Sequence, residues 1–343
     1  MKNNVYIVNT EYHLILTLGI IQQYFSKDCN NIIVRVSPIG GSRLNNLNFQ
    51  DTGLEYHEII YDYLKPSSDL KEELQYIVSL KPDKLFFFLE NKFWLNYLFS
   101  KLRKTGTTII LAPDGMKAYA KKNHLTTRQR TRMFIEGLKN SMKAGLFSTL
   151  PFVENNYASS KYIDEVWVEY PQYYNNITRK KVVEFHYTID GRFVNFLMKV
   201  FNVEDIDFEI IRKEPVVLFL DSSYKTKEYY DRTLNILDCL NGQYPNRKLL
   251  VKYHPLSAKE AKIAFSSIQS IIEVNSSYPA ELYLALAKDA IVVSMVSTSE
   301  LFHNPCCNYY WIYKLYSDMY DYESLQNPTN YIKVVSEVNQ IGK

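Results

Sequence analysis

Cysteine is scarce in this sequence. The chain of 343 residues contains four, and the only two that lie close together, Cys306 and Cys307, are direct neighbours. This spacing fits neither the C-x-x-C pairs of a zinc site nor the cysteine density of a secreted, disulfide-bonded fold. We therefore expect reduced thiols and a cytoplasmic location.

Long apolar runs and a strong charge of one sign are also missing. The N-terminal run Leu14–Ile21 is far shorter than the roughly 20 residues of a transmembrane helix, and polar side chains interrupt its approach. We expect no export signal and no membrane span. The 40 Lys and Arg against 37 Asp and Glu give a net charge of +3, so we expect no nucleic-acid partner.

Several motifs of nucleotide-binding and hydrolytic enzymes are absent. The sequence has no G-x-G-x-x-G, Walker A, H-E-x-x-H or G-x-S-x-G pattern, so dinucleotide oxidoreductases, P-loop NTPases, zincins and serine hydrolases lose their usual support. One D-x-D triplet, Asp205–Asp207, is of a kind that holds divalent ions, but it lies in a predicted linker rather than after a strand. We expect no metal and no cofactor.

Short apolar strands alternate with helices along the chain, which is the pattern of parallel α/β sheets. The first set has strands predicted at 5–8, 32–36, 56–60, 84–89, 108–111 and 165–168, and helices at 12–25, 69–80 and 126–145. The second set has strands predicted at 216–220, 248–252, 271–274 and 291–294, and helices at 227–240, 258–265 and 279–287.

These two sets predict two Rossmann-like domains. We place the first at residues 1–201 and the second at 215–343, with the polar stretch 202–214 as a linker. A last helix of the second domain is able to pack back on the first. Domains of this kind place a ligand cleft at the carboxyl ends of their strands, so the residues that follow strands are the candidates for a site.

The first candidate follows the predicted strand 108–111, where the chain continues into Asp114 and Gly115. Glycine permits a tight turn, and a carboxylate partly removed from water can accept a proton from a hydroxyl group. The alternative is a plain Asp-Gly turn without a catalytic role.

The other two candidates follow strands of the second set. His254 and Pro255 come after strand 248–252, and a histidine there can donate a hydrogen bond to a phosphate or act as an acid. Ser297, Thr298 and Ser299 come after strand 291–294 at a predicted helix start, where hydroxyls and backbone N–H groups can hold a monophosphate. A structural histidine and ordinary helix capping are the alternatives.

The order of these sites resembles the motif set of bacterial GT-B sialyltransferases. In that family an acidic D/E-D/E-G motif supplies the base, while His-Pro and a Ser/Thr pair bind the phosphate of CMP. The resemblance implies an α/β fold of the GT-B type, with two Rossmann-like domains facing each other across a cleft. It assigns the base to Asp114 before Gly115, a catalytic role toward the leaving phosphate to His254 before Pro255, and phosphate binding to residues 297–299.

Two shorter matches extend the resemblance, and the first of them points to the lipooligosaccharide and capsule branch of that family. The segment Asn9–His13 resembles its first strand-to-helix turn and adds Thr10 and His13 to the substrate-binding residues. Glu281 resembles the acidic residue that accepts hydrogen bonds from ribose hydroxyls in many GT-B enzymes, although stabilisation of a helix N-terminus is the alternative.

The chain departs from the family pattern in its acidic motif. The family often has two acids before the glycine, whereas this chain has Pro113 and Asp114. Asp221, which follows the predicted strand 216–220, is therefore the reserve candidate for the base. A structural role for Asp221, as a cap of the following turn, is the alternative.

The resemblance also implies the reaction and its partners. We expect metal-independent transfer of sialic acid from CMP-sialic acid, with inversion, to a galactose-type acceptor on a lipooligosaccharide or capsule glycan. The basic segment Lys121–Lys143 carries seven Lys and Arg against Glu136 alone, which favours peripheral contact with the inner face of the membrane through lipid headgroups, or with a charged glycan. A solvated helix face is the alternative, and a homodimer is left open.

Three other functions remain open on the sequence. A GT-B transferase that uses CMP-Kdo or a UDP-hexose would share the fold and much of the motif order. A non-catalytic glycan- or nucleotide-binding protein would keep the site without turnover. A sugar-nucleotide epimerase would need no acceptor.

Overall fold

A computed structural model of the chain describes residues 2–25, 29–38, 47–62, 66–120, 125–147, 149–151, 153, 156–320, 322 and 325–343. The start of the basic segment, Lys121–His124, lies outside these residues, and so do the side chains of Asp205 and Asp207 in the D-x-D triplet. The chain divides into two compact units, residues 1–188 and 189–343.

The described strands of the first unit form one parallel sheet in the order β3-β2-β1-β4-β5-β6-β7. They are β1 (Lys2–Val8), β2 (Cys29–Pro38), β3 (Glu55–Tyr61), β4 (Lys84–Phe87), β5 (Thr108–Leu111), β6 (Glu165–Val168) and β7 (Lys181–Glu184). The helices are α1 (Glu11–Ile20), which continues as a π-helical turn over Ile21–Phe25, α2 (Asp69–Ser79), α3 (Leu95–Leu102) and α4 (Thr127–Lys143).

The described strands of the second unit also form a parallel sheet, in the order β10-β9-β8-β11-β12-β13. They are β8 (Val216–Leu220), β9 (Lys248–Lys252), β10 (Ile271–Glu273), β11 (Ala290–Ser294), β12 (Cys307–Trp311) and β13 (Ile332–Val334). The helices are α5 (Gly191–Val200), α6 (Glu209–Lys213), α7 (Lys227–Gln243), α8 (Ala258–Phe265) and α9 (Ala280–Leu286).

Buried apolar strands at the centre of each sheet explain why these segments pair. Leu85, Phe86 and Phe87 of β4 are at most 1% exposed, because a parallel strand between two layers of helix is covered on both faces. Strand β8, Val216–Leu220, is buried along its whole length in the same way. These runs are the ones that the sequence pattern predicts most directly.

The boundary between the units differs from the prediction. Residues 189–201, which the prediction placed at the end of the first domain, belong to the second unit, where helix α5 packs against α9. The stretch predicted as a linker contains α6, and it buries Phe208 and Ile211, with Phe208 4.5 Å from Tyr283 between ring centres. Because the stretch is mostly polar, the sequence pattern did not predict that Phe208 and Ile211 are buried. At the end of the chain, Gln243 of α7 donates a hydrogen bond to Ile341 O at 3.0 Å, so the terminus packs within the second unit.

The strand order gives each sheet one point where the connections change direction, between β1 and β4 in the first unit and between β8 and β11 in the second. Ligands of open α/β sheets bind at the carboxyl ends of the strands beside such a point. In the described part of the chain, no helix has the length and apolar character needed to cross a membrane.

Candidate active site

Asp114 lies just beyond the carboxyl end of β5. The next residue, Gly115, has a φ of +57°, in the left-handed region that glycine adopts without a steric penalty. The turn lets the chain leave the strand at once, while the Asp114 side chain stays 29% exposed. The carboxylate is therefore held at the edge of the sheet and remains within reach of a substrate.

His13 is the hydrogen-bond partner of Asp114. Its buried ring places Nε2 2.9 Å from Asp114 Oδ1 and stacks on Phe88 at 4.4 Å between ring centres. The backbone N–H of Asn9 donates to Nδ1 at 3.4 Å, so the ring proton lies on Nε2 and is donated to Asp114. The Thr10 hydroxyl caps α1 by accepting from the His13 N–H at 3.3 Å, which fixes the histidine in the first turn.

Sequence reasoning missed two charged residues that follow β4. The buried Glu90 carboxylate accepts hydrogen bonds from Ala158 N at 2.6 Å and Ser160 N at 3.1 Å. Lys92 lies in the same loop, where burial lowers its pKa and the charge of Asp114 opposes that shift. Glu90 was within reach of the rule applied to Asp114, because it directly follows the predicted strand 84–89.

Glu169 holds the equivalent position after β6 and was also missed. Strands β5 and β6 are parallel neighbours with Leu111 opposite Val166, so the residues that follow them emerge at one edge of the sheet. Burial raises the pKa of the half-buried Glu169 carboxyl to about 8. The group therefore carries its proton at neutral pH and is able to donate a hydrogen bond.

In the second unit, Asp221 lies at the carboxyl end of β8. Tyr229 donates its hydroxyl proton to Oδ1 at 2.8 Å, and the Ser257 hydroxyl and the His254 backbone N–H donate to Oδ2 at 3.1 and 3.3 Å. Burial raises the pKa of Asp221, and these hydrogen bonds oppose the shift. The carboxylate thereby joins the end of β8 to the loop after β9, and its part as reserve base stays a prediction.

His254 and Pro255 follow β9, and Asp221 orients the histidine through its backbone N–H. The Leu256 N–H donates to His254 Nδ1 at 3.2 Å, so the ring proton of the neutral histidine lies on Nε2. Nε2 is thereby a hydrogen-bond donor, which is what binding to a phosphate oxygen requires.

The hydroxyl loop, Ser297 to Ser299, begins a short 3-10 turn over Thr298–Leu301. Ser297 caps this turn, since its hydroxyl accepts from the Ser299 N–H at 3.3 Å, and the three residues are half-buried. Glu281 lies in the first turn of α9 and is 4% exposed. The loop, His254 and Glu281 all belong to the second unit, whereas Thr10, His13 and Asp114 belong to the first.

Among the described residues, no three His, Cys, Asp or Glu side chains come together in an arrangement that could hold a metal ion.

Solved structures with similar folds include the GT-B domain of a sialyltransferase from Photobacterium damselae, with 14% identity, 91% of each chain covered and a TM-score of 0.52. A UDP-GlcNAc 2-epimerase from Methanocaldococcus jannaschii has 12% identity, with 99% of this chain and 90% of that chain covered and a TM-score of 0.58. At these identities the similarity shows the fold, and the predicted GT-B fold is confirmed.

Sequence comparison identifies the family. No curated protein sequence matches the chain. A sequence model of one family, described as alpha-2,8-polysialyltransferase (POLYST), matches residues 4–306. This match confirms the predicted resemblance to sialyltransferases, and because it spans most of the sequence, the chain belongs to the alpha-2,8-polysialyltransferase (POLYST) family of glycosyltransferases.

Proposed function

We propose that the chain transfers sialic acid from CMP-sialic acid to a glycan, with inversion at the anomeric carbon and without a metal ion. The observation that carries this proposal is the Asp114–His13 pair at the carboxyl edge of the first sheet, with Nε2 and Oδ1 2.9 Å apart. Family membership supports the sialic acid donor. A single phosphate on the donor makes a cation that neutralises a diphosphate unnecessary.

Asp114 acts as the general base in this proposal. His13 holds Oδ1 through its Nε2 proton, and among the described residues none donates a hydrogen bond to Oδ2. The acceptor hydroxyl gives its proton to the carboxylate as its oxygen attacks the anomeric carbon, and the bond from that carbon to the phosphate of CMP breaks. Attack on the face opposite CMP inverts the centre. A positioned base contributes about 10²- to 10⁴-fold to such a step.

The second unit supplies the groups that take the leaving phosphate. His254 carries its proton on Nε2 because Leu256 N–H occupies Nδ1 at 3.2 Å. The hydroxyl loop adds hydroxyl and backbone N–H donors at the start of its turn. Hydrogen bonds to the phosphate strengthen as its negative charge grows, so these donors lower the barrier without a metal. Glu281 and Pro255 complete the predicted nucleotide side, with Glu281 toward the ribose.

In this proposal the acceptor is a surface glycan of the lipooligosaccharide or capsule type. Its terminal sugar is either galactose or sialic acid, and an experiment can distinguish the two. The resemblance to lipooligosaccharide and capsule sialyltransferases implies a galactose terminus, whereas the family name favours an acceptor that already ends in sialic acid. Purified protein is incubated with CMP-sialic acid and each acceptor, and CMP and product are measured by mass spectrometry. Acceptor-dependent product supports the transferase, and the product's mass shows which terminus is used.

Controls distinguish the other functions. CMP-Kdo and UDP-hexoses replace CMP-sialic acid in parallel reactions. If product forms with one of these donors and not with CMP-sialic acid, that compound is the donor. UDP-GlcNAc without acceptor tests epimerisation, which the fold similarity to epimerases makes a necessary control. CMP binding with no turnover of any donor would reduce the chain to a nucleotide-binding protein.

Peripheral contact with the inner membrane face belongs to the same proposal. The basic face of α4 consists of Arg128, Arg132 and Lys139, which are exposed, together with an exposed Ile135. Glu136 is engaged by Arg132 at 2.8 Å. Phe147 follows the helix and is 76% exposed. Basic residues beside exposed apolar ones suit a surface of anionic lipid better than a polar glycan, and a cytoplasmic enzyme would reach a lipid-linked acceptor there.

A further inference from the structure

Glu300 directly follows the hydroxyl loop and has no exposed surface. The other buried acid at a strand end of this unit, Asp221, accepts three hydrogen bonds. In contrast, within the described part of the chain neither carboxyl oxygen of Glu300 has a hydrogen-bond partner of normal geometry. Burial of an ionised carboxylate without partners is strongly unfavourable, so this side chain needs a structural explanation.

Two polar groups face the Glu300 carboxyl from neighbouring strands. Ser294 ends β11 and Trp311 ends β12, and the two residues are paired across these strands. Burial raises the pKa of Glu300 well above its usual value, and the Ser294 and Trp311 side chains oppose that shift. Burial therefore favours the neutral form of this carboxyl group. Ser294 Oγ and Trp311 Nε1 are themselves buried, and no described residue gives either atom a hydrogen bond of normal geometry.

The hydrogen-bonding capacities of these groups are complementary. A neutral carboxyl group offers one donor and one acceptor, the Trp311 indole N–H only donates, and the Ser294 hydroxyl does both. A hydrogen bond from the indole N–H to the carbonyl oxygen, and one from the acid O–H to the Ser294 hydroxyl, would satisfy all four buried atoms.

We propose that Glu300 is the positioning residue of the hydroxyl loop, because its side chain bridges Ser294 and Trp311 and so fixes the turn that presents residues 297–299 to the donor phosphate. This inference rests on the proposed function for its ligand. The loop backbone is held from its other side, where Tyr331 donates to Glu300 O at 3.1 Å and to Leu301 O at 3.0 Å. Side chain and backbone together fix the turn.

Among the described residues, no cation contributes to the shift in the pKa of Glu300. Tyr309 of β12 interacts with it, and burial raises the pKa of this tyrosine. His303 stacks on Tyr331 at 4.0 Å between ring centres, and burial lowers the pKa of this histidine, which is therefore neutral. Helix α9 packs against the turn and carries Glu281 and Tyr283. These groups supply no positive charge that would favour the ionised carboxylate.

Two substitutions distinguish the effect of the hydrogen-bonded bridge from the effect of side-chain volume. Glu300→Gln keeps one donor and one acceptor, as the neutral acid does, whereas Glu300→Leu keeps a similar volume and removes both. We expect CMP to bind Glu300→Gln within about twofold of the unchanged protein, and Glu300→Leu about tenfold more weakly, the effect of one or two lost hydrogen bonds. The matched control is Glu228→Gln and Glu228→Leu at an exposed site of α7, with no expected effect.

The measurement is isothermal titration of CMP, with circular dichroism to verify folding. Unchanged affinity in Glu300→Leu, or an equal loss in both Glu300 variants, would overturn the positioning role. If Glu300→Leu does not fold, Ser294→Ala and Trp311→Phe replace it, because each removes one side of the bridge. Weaker CMP binding by both variants supports the bridge, and unchanged affinity in either of them overturns it.

The failure of the proposed function is recognisable separately. If the unchanged protein binds no CMP, the donor assignment fails, and the bridge is then tested by hydrogen exchange of the backbone amides of residues 297–302 without ligand. Faster exchange in Glu300→Leu than in Glu300→Gln supports positioning of the turn. Equal exchange in the two variants overturns it.

Discussion

His13 Nε2 and Asp114 Oδ1 lie 2.9 Å apart although 101 residues separate the two positions. The sheet order accounts for this contact, because β4 lies between β1 and β5 and all three strands end at the same edge. The first turn of α1 reaches over the end of β4, where the His13 ring stacks on Phe88. The pair joins the Asn9–His13 segment to the Asp114–Gly115 turn, two motif matches that lie far apart in the sequence.

Replacement of Asp114 by Asn removes the base but keeps the side-chain shape. We expect the rate of sialic acid transfer to fall by about 10²- to 10⁴-fold, with CMP affinity unchanged, because the predicted phosphate-binding residues belong to the second unit. Single-turnover rates and CMP titration measure the two quantities separately. Transfer at the original rate would remove Asp114 from the mechanism.

His13 is a positioning residue for Asp114. The effect of a substitution at this position should therefore depend on whether the new side chain can still donate a hydrogen bond to Asp114. We expect His13→Leu to lower kcat by about 10- to 100-fold with the donor KM unchanged, and His13→Gln, which keeps an N–H donor, to recover part of that loss. His57→Gln is the matched control, since His57 pairs with Glu73 at 3.1 Å on the half-exposed surface of the same unit. A loss of rate in the control equal to that in His13→Leu would contradict a specific role.

Asp221 is the other candidate for the base, and one substitution separates the two possibilities. Asp221→Asn places an amide donor against the donors of Tyr229, His254 and Ser257, so we expect a loss of about 1–3 kcal/mol in the free energy of unfolding and weaker CMP binding. Chemical denaturation and CMP titration are the measurements, with Asp231→Asn on the exposed face of α7 as control.

The contrary result for Asp221 is equally defined. A variant with normal stability and normal CMP affinity that no longer transfers sialic acid would make Asp221 the base and return Asp114 to the status of a turn residue.

The sequence pattern predicted the central strands closely, since β5, β6, β8 and β9 begin and end at the predicted residues. Buried parallel strands are continuous apolar runs with polar ends, which is a local property. The missed elements depend on distant contacts. Helix α5 packs on α9, and β13 is a short strand that needs β12 beside it, so neither was predicted.

The same distinction applies to the site. Asp114 and His254 were found because each directly follows an apolar strand. The contact of His13 with Asp114 and the bonds of Asp221 to the loop after β9 join residues far apart in the chain. Only the order of strands in the sheets brings these groups together, and a single sequence does not contain that order explicitly.

Glu169 gives the stability of the chain a defined pH dependence. Its pKa in the folded state is raised to about 8, above the value of about 4.3 for an unfolded Glu. Between these values the folded state binds more protons, so we expect the free energy of unfolding to fall as pH rises from about 4.5 toward 8. In Glu169→Gln this contribution should vanish, and urea denaturation across that range measures it. A slope that is the same in both proteins would contradict the raised pKa.

The basic face of α4 provides the last prediction, which concerns anionic lipid. We expect the protein to sediment with vesicles that contain phosphatidylglycerol and not with pure phosphatidylcholine, and to be released in part by salt, because screening weakens attraction between exposed charges. Arg128→Glu with Lys139→Glu should abolish sedimentation. The charge-matched control changes Lys227 and Lys259, which are exposed on α7 and α8, and should sediment normally.

The apolar side chains beside this face test how deeply it inserts. Phe147 and Ile135 are 76% and 46% exposed, and burial of such groups among acyl chains does not depend on salt. We expect the double variant Phe147→Ser with Ile135→Ser to sediment at low salt as the unchanged protein does. At high salt it should lose the bound fraction that resists release. Equal binding by the charge-reversed variant and the unchanged protein would contradict membrane contact through α4, and would favour a solvated helix face.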